Sequence, residues 1–337
     1  MKKLFLLTTA AILIASSAMT AHAAKHSKKH NPAAQAAQTS PAAPPGQPSQ
    51  AAPAKSVPLT RKASEDNRYP VFSLLAEGWG GGNLKAFERG QAKSSASGEI
   101  DKNSLGADGG ELRVGVLFSP GVYIQGDLAG EDTTNNKKYN DVLNSDFTRT
   151  VHLGFGNQEY LLSGFIGQGK VWTEADSDDM VGFWFRGVEF QRFTEKTLWY
   201  AQAGAFDQTN SFGQKNADYL DNGWYLRGAA KYSLSELNKL SGQLSYANAD
   251  SSGRSTDVAD LGLRFDRSLQ TSVPLSVFAS YSGVYTDNGL GSYLDNVGRI
   301  GIQFRFGGAE THSSKLGGAT LDTPNLGRWI GSSNAVD

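Results

Sequence analysis

The sequence predicts an all-β fold in which about twelve antiparallel strands run up and down and close into a barrel. Three observations carry that expectation. Segments of roughly ten residues alternate apolar and polar side chains, the breaks between them alternate short and long, and aromatic residues gather near both ends of the segments. A strand has a side-chain period of two, so each alternating segment presents one apolar and one polar face. "RIGIQFRFGG", residues 299–308, is the clearest case. Ile300, Ile302, Phe304 and Phe306 share one face, and Arg299, Gln303 and Arg305 share the other.

The chain of 337 residues opens with Lys2 and Lys3, an apolar run from Leu4 to Ala15, and then small residues ending in "AHA". That is the pattern of a secretory signal peptide over residues 1–23, and the apolar run is short for a bilayer span. Residues 24–66 are rich in Ala, Pro, Gln and Ser and hold almost no large apolar side chains. Such a segment cannot bury enough surface to offset its ordering entropy, so a disordered, partly polyproline-II arm is expected. The arm carries Lys25, Lys28, Lys29, Lys55, Arg61 and Lys62 against Glu65 and Asp66, so it is basic while the remainder is acidic. The barrel is expected over residues 67–306, and a tail follows over 307–337. Cysteine is absent, which excludes disulfides and thiolate metal sites. The net charge of −1 shows no nucleic-acid footprint.

In order, the expected strands are 71–81, 110–118, 122–130, 147–155, 160–172, 181–190, 197–206, 223–232, 239–247, 258–266, 273–285 and 297–306. The second rests on Leu112, Val114, Val116 and Phe118 opposite Glu111 and Arg113, and the third on Val122, Ile124 and Leu128 opposite Gln125 and Asp127. The fourth sets Val151, Leu153 and Phe155 against Thr148, Thr150 and His152. The fifth and sixth alternate poorly, and Gly164, Gly167 and Gly169 suggest a bulge that shifts the phase. The ninth sets Leu240, Leu244 and Tyr246 against Ser241, Gln243 and Ser245. The tenth sets Ala259, Leu261, Leu263 and Phe265 against Asp260, Arg264 and Asp266, and the eleventh carries Val273, Leu275, Val277, Ala279 and Tyr281 on one face.

The breaks 119–121, 156–159, 191–196, 233–238 and 267–272 are short; 82–109, 131–146, 173–180, 207–222, 248–257 and 286–296 are longer and mostly acidic. Phe118, Phe155, Tyr160, Phe190, Trp199, Tyr232 and Phe306 flank the short breaks, while Trp79, Trp172, Phe183, Phe206 and Trp224 flank the long ones. Two aromatic girdles, short turns on one side and long loops on the other resemble a bacterial outer-membrane β-barrel, porin-like and transmembrane. The resemblance covers residues 70–306, and the strand ending in Phe306 is similar to the C-terminal signal that such barrels present to their insertion machinery. It implies an outer-membrane location in a Gram-negative bacterium, contact with outer-membrane lipids, both termini in the periplasm, and a lipid-facing Ile/Phe side on 299–308. The basic arm then suits contact with peptidoglycan or an acidic periplasmic partner.

Under that resemblance the polar faces line a lumen. The inward candidates are Arg113, Arg227, Lys231, Arg264, Arg299, Gln303 and Arg305, balanced by Glu77, Glu111, Asp127 and Asp260. Excess arginine on the last five strands predicts a cationic wall and a modest anion preference in an open lumen. In the alternative the same residues are ion pairs filling a closed barrel. The tail holds Leu326, Arg328, Trp329 and Ile330, too apolar for a solvated segment, and is expected to pack Trp329 into or against the lower barrel mouth, with irregular backbone and Arg328 near acids.

The function expected is therefore non-enzymatic: a channel or structural envelope protein. One alternative is a lipid hydrolase, because a turn centred on Asn157–Gln158 would set His152 opposite Ser163; no third orienting group follows from the sequence. Another is an adhesin acting through the long loops. Glu174, Asp176, Asp178 and Asp179 lack the spacing and glycine of a calcium loop, and no motif calls for a cofactor or metal.

Overall fold

The computed structural model describes residues 70–90, 106–119, 121–134, 144–156, 159–173, 180–211, 213, 215–271, 273–307 and 322–333. The signal peptide expected over 1–23, the arm expected over 24–66, the expected Asn157–Gln158 turn and the acidic residues 174–179 lie outside the described residues. Twelve antiparallel strands close into one barrel, each paired with its sequence neighbours and β1 with β12. They are β1 (Val71–Gly90), β2 (Gly106–Ser119), β3 (Val122–Thr134), β4 (Asn144–Gly156), β5 (Tyr160–Thr173), β6 (Met180–Phe193), β7 (Thr197–Gln208), β8 (Asp221–Ser233), β9 (Asn238–Ser251), β10 (Arg254–Ser268), β11 (Leu275–Asp287) and β12 (Gly291–Gly307). A single short helix among the described residues, α1 (Leu326–Ser333), follows them. Closure leaves the sheet no free edge.

The strands run longer than expected, mostly at the end where the long breaks were placed. Ladder pairing continues past the apolar belt into Gly-, Asp-, Asn- and Ser-rich residues that read as loop in the sequence. Two of the expected long breaks are tight hairpins for this reason. β9 and β10 meet at Ser252 and Gly253, both with positive φ (49° and 74°), the backbone of a two-residue turn. β11 and β12 meet across residues 288–290 with Gly289 at φ 80°. The β1–β2, β3–β4, β5–β6 and β7–β8 connections remain the longer ones.

Side chains alternate along the strands apart from register shifts at Asn83/Lys85, Leu117/Ser119 and Asp221/Trp224. Leu112-side, Val151-side and Ile300-side residues face outward, with Ile300 73% exposed, whereas Gln125, His152 and Glu189 face inward and are almost fully buried. All seven aromatics near the short turns, from Phe118 to Phe306, are exposed on the outer face. The girdle expected near the long loops is corrected. Trp224 is exposed, but Phe183 and Phe206 are buried inside, and Trp79 points inward and donates from Nε1 to Glu131 at 2.8 Å.

The bulge expected in β5 is absent. β5 pairs with β4 and β6 without a register shift, from Tyr160↔Arg192 to Trp172↔Met180. The glycines serve a different purpose: Gly167 is paired with Phe185 and Gly169 with Phe183. A Cβ on either would lie 2.2 Å from the partner's ring, so glycine is what lets each ring lie flat over the neighbouring strand. Alternation looked poor there because both faces are apolar, the outer one and one that packs inside the barrel.

Candidate functional site

The interior divides into two halves. In the half nearer the longer connections, inward Phe165, Val171, Phe183, Phe185, Phe206, Tyr225, Val258 and Val284 form one apolar cluster with Leu326, Trp329 and Ile330. Helix α1 therefore sits inside the barrel, within the same compact unit as the strands. The tail was expected as irregular backbone at the lower mouth; residues 322–325 are irregular, but 326–333 are helical and lie deeper. The reason is complementarity: the upper half offers Leu326, Trp329 and Ile330 the larger apolar surface, while the apolar side chains at the short-turn end, Leu117, Tyr123, Leu161 and Phe193, pack with one another. A helix of eight residues is marginal alone, so packing holds it.

Polar contacts fix the segment at each level. Asp322 accepts from Arg113 Nη1, from Lys231 Nζ at 3.1 Å and from Tyr200 Oη at 2.8 Å, while its carbonyl accepts from Gln202 Nε2 at 2.6 Å. Burial pushes the Asp322 carboxyl up, but Lys231, Arg113 and Arg227 outweigh it and hold the group well below the usual carboxylate range. Thr323 Oγ1 lies 3.2 Å from Asp127 Oδ2. Trp329 Nε1 donates to Asp260 Oδ2 at 3.0 Å, and its ring meets Tyr225 edge-on at 5.8 Å. Arg328 Nε donates to Asp295 Oδ2 at 2.8 Å and Nη1 to Ser282 Oγ at 2.5 Å. At the far end Ser332 and Thr286 hydroxyls are 2.8 Å apart, and Ser333 Oγ accepts from Leu220 N–H at 3.0 Å. Gly327 passes so close to Asp146 that an added Cβ would be 2.5 Å from that residue's Cβ.

A cavity of about 920 Å³ opens between the short turns, with Arg113, Arg227, Lys231, Lys239, Arg264, Arg305, Glu77, Glu111 and Asp322 in its walls, and runs up beside the start of α1 as far as Gly327, Asp146 and Ser282. The cationic wall expected here is largely neutralised. Arg264 reaches Glu77 at 3.0 Å and Asp266 at 2.8 Å, and its guanidinium covers Phe278 at 3.7 Å. Arg299 binds both oxygens of Glu131 at 2.5 Å. Arg113 pairs with Glu111 at 2.6 Å, Gln303 donates to Glu77 at 2.8 Å, and Arg227 binds Gln202 at 3.1 Å and the carbonyls of Asp322 and Thr323 at 3.4 Å. Buried cations need such partners, because an unpaired charge away from water is expensive. Arg305 and Lys239 are exposed to solvent, and among the described residues neither makes a side-chain ion pair.

The expected His152–Ser163 pair does not form. His152 is opposite Phe165, and Ser163 is opposite Gly154, because the β4–β5 turn is two residues longer than a pair of numbers summing to 315 requires. His152 Nε2 instead lies 2.9 Å from Asp127 Oδ2, its ring packs on Phe165 at 5.3 Å, and Ser163 Oγ is buried without a hydrogen bond.

Sequence reasoning passed over Asp322, Tyr200, Glu131, Asp295 and Lys239. Glu131 and Asp295 fell in segments read as breaks, although extending the period-two count of β3 and β12 by a few residues would have turned both inward. Lys239 is inward by the same count on β9. Asp322 had only one signal, an acid placed directly before an apolar stretch.

No family model and no curated protein matches the chain. Solved structures similar to it include an outer membrane channel from Pseudomonas putida F1, at 10% identity and a TM-score of 0.47, covering 70% of this chain and 96% of that one. The NanC porin is similar at 13% identity and a TM-score of 0.41, covering 68% of this chain and 98% of that one. The KdgM porin follows at 9% identity and a TM-score of 0.40, covering 68% and 99%.

Proposed function

We propose that this chain is an outer-membrane barrel of a Gram-negative bacterium whose lumen is a channel closed by its own C-terminal segment. The outer face supports the location, since an apolar belt bordered by aromatics belongs against lipid while the polar interior does not. The observation that carries the closure is Asp322, held between Arg113, Lys231 and Tyr200 just before α1 begins. With the longer connections outside, the cavity faces the periplasm and α1 closes the side facing the environment.

Opening would change the charge of the lumen as well as its width. Withdrawal of residues 322–333 removes the Asp322 carboxylate from the lower half and uncovers Arg113, Lys231 and Arg227 beside Arg305 and Lys239. Higher up it removes Arg328 and uncovers Asp295 and Asp260. The opened lower half is therefore cationic, and a modest, salt-sensitive anion preference follows from it. That preference rests on Lys231, Arg227, Arg305 and Lys239, and no longer on Arg113, Arg264 and Arg299, whose acids Glu111, Glu77 and Glu131 stay with the barrel wall.

Insertion by the barrel machinery through the Phe306 strand, and contact of the arm at 24–66 with peptidoglycan or an acidic periplasmic partner, belong to the same reading. A hydrolase built on His152 and Ser163 has no supporting geometry. The test is planar-bilayer recording of the refolded chain with and without residues 309–337. The full chain should conduct little; the truncated one should conduct steadily and reverse at a potential favouring anions. Equal conductance of the two would remove the plug, and cation selectivity of the open form would remove the anion preference.

A further inference from the structure

The apolar belt on the barrel exterior has a gap that the channel reading leaves unexplained. On β2, β10 and β12 four successive outward positions are apolar, over 112–118, 259–265 and 300–306. On β6 only Val188 and Phe190 separate two outward arginines, Arg186 and Arg192, and on β4 Arg149 occupies the place of the fourth apolar residue. Arg149 and Arg186 are exposed on the outer face. Arg149 Nη2 donates to Gln168 Oε1 at 2.8 Å, Gln168 is paired across the sheet with Trp184, and the Arg186 guanidinium lies 4.9 Å from the Trp184 ring centre. Lys170, 5.2 Å from the Trp172 ring, continues the cluster toward the longer connections.

Arginine facing hydrocarbon is costly, and Arg149 on β4 and Arg186 on β6 flank Gln168 of β5, the strand between them. Arg186 makes no ion pair with any described residue. The outward acid nearest in register, Asp207 opposite Trp184, has Lys215 at 3.5 Å. A second copy docked on this face by a two-fold axis would set arginine against arginine, which disfavours that occupant. Planar guanidinium donors backed by an indole ring suit the oxygens of a phosphate. We infer that Arg149, Gln168 and Arg186 form an external site for the phosphate of a membrane lipid in the leaflet nearer the longer connections.

The inference rests on the outer-membrane reading, and the experiment separates the two. The full chain is inserted into vesicles carrying bis-phosphorylated lipid A, dephosphorylated lipid A or phosphatidylglycerol, and retained lipid is read by native mass spectrometry. Wild-type protein should hold a phosphate-bearing lipid, the arm that binds identifying glycolipid or glycerophospholipid. An Arg149→Gln, Arg186→Gln variant that inserts equally well should hold it about tenfold more weakly. Equal retention by the variant, or equal retention of the dephosphorylated lipid, overturns the site. A dimer lost on substitution assigns the face to a second copy and overturns it as well. Failure of the wild-type chain to insert at all appears as missing folded protein and removes the membrane reading itself.

Discussion

Replacing Asp322 by alanine is expected to release the C-terminal segment from the lumen. The carboxylate is about one-eighth exposed and is shared by Arg113, Lys231 and Tyr200. Arg113 keeps its Glu111 partner when Asp322 is removed, so the loss is that of charge-assisted hydrogen bonds, about 1.5–3 kcal/mol, and not that of an orphaned buried charge. Lys231 is more than one-third exposed and adds little. At about 1.4 kcal/mol per factor of ten, the open population should rise about 10- to 10²-fold. Asp322→Ala protein that still folds, judged by heat-modifiable gel mobility, should show long openings in single-channel records where the parent chain shows rare ones. Records indistinguishable from the parent would refute the argument that this carboxylate anchors the segment.

Trp329→Ala should open the channel too, since it leaves a cavity beside Tyr225 and strips Asp260 of its donor; a loss of about 3–5 kcal/mol is expected, read as raised solute leakage. Acid should open it only late. A carboxyl held low when docked contributes above its ordinary pKa and is lost as pH falls through the docked value, so closure should persist from about pH 8 to about pH 5; opening within that window would contradict the assignment. Arg305→Ala with Lys239→Ala should weaken the anion preference of the truncated channel, as measured by reversal potential, whereas Arg264→Ala should cost stability more than selectivity. Gly167→Ala should destabilise the barrel by about 1–3 kcal/mol by driving a methyl into the Phe185 ring, lowering the temperature at which the folded gel band disappears; an unchanged temperature would mean the ring is free to move.

Much of the barrel is legible in the sequence because one physical rule writes it. Outward positions must be apolar and inward positions need not be, so Ile300, Ile302 and Phe306 declare their face as plainly as Arg299 and Gln303 declare theirs. Legibility fails wherever something other than lipid or water meets the strand. β5 and β6 are apolar on both faces because their inner side chains pack in one cluster with α1, so the period-two signal vanishes there, and Phe183, like Phe206 on β7, passes for a girdle residue. Ladder residues above the belt, such as Glu131 and Asp295, carry loop-like neighbours and are misplaced for that reason. The charges of the lumen are visible one by one, but their pairing is not: Arg299 meets Glu131 and Arg264 meets Glu77 across the barrel, separated by 168 and 187 residues. Only closure of the sheet brings them together.

Closure of the lumen by residues 322–333 can be tested within one molecule, because the chain has no cysteine and the Thr286 and Ser332 hydroxyls lie 2.8 Å apart. With Thr286→Cys and Ser332→Cys introduced into the Asp322→Ala chain, oxidation should tie α1 to β11. The account predicts a silent channel when oxidised and a conducting one after a reductant is added to the same bilayer. Equal current before and after reduction, with the disulfide shown to be formed, would contradict it.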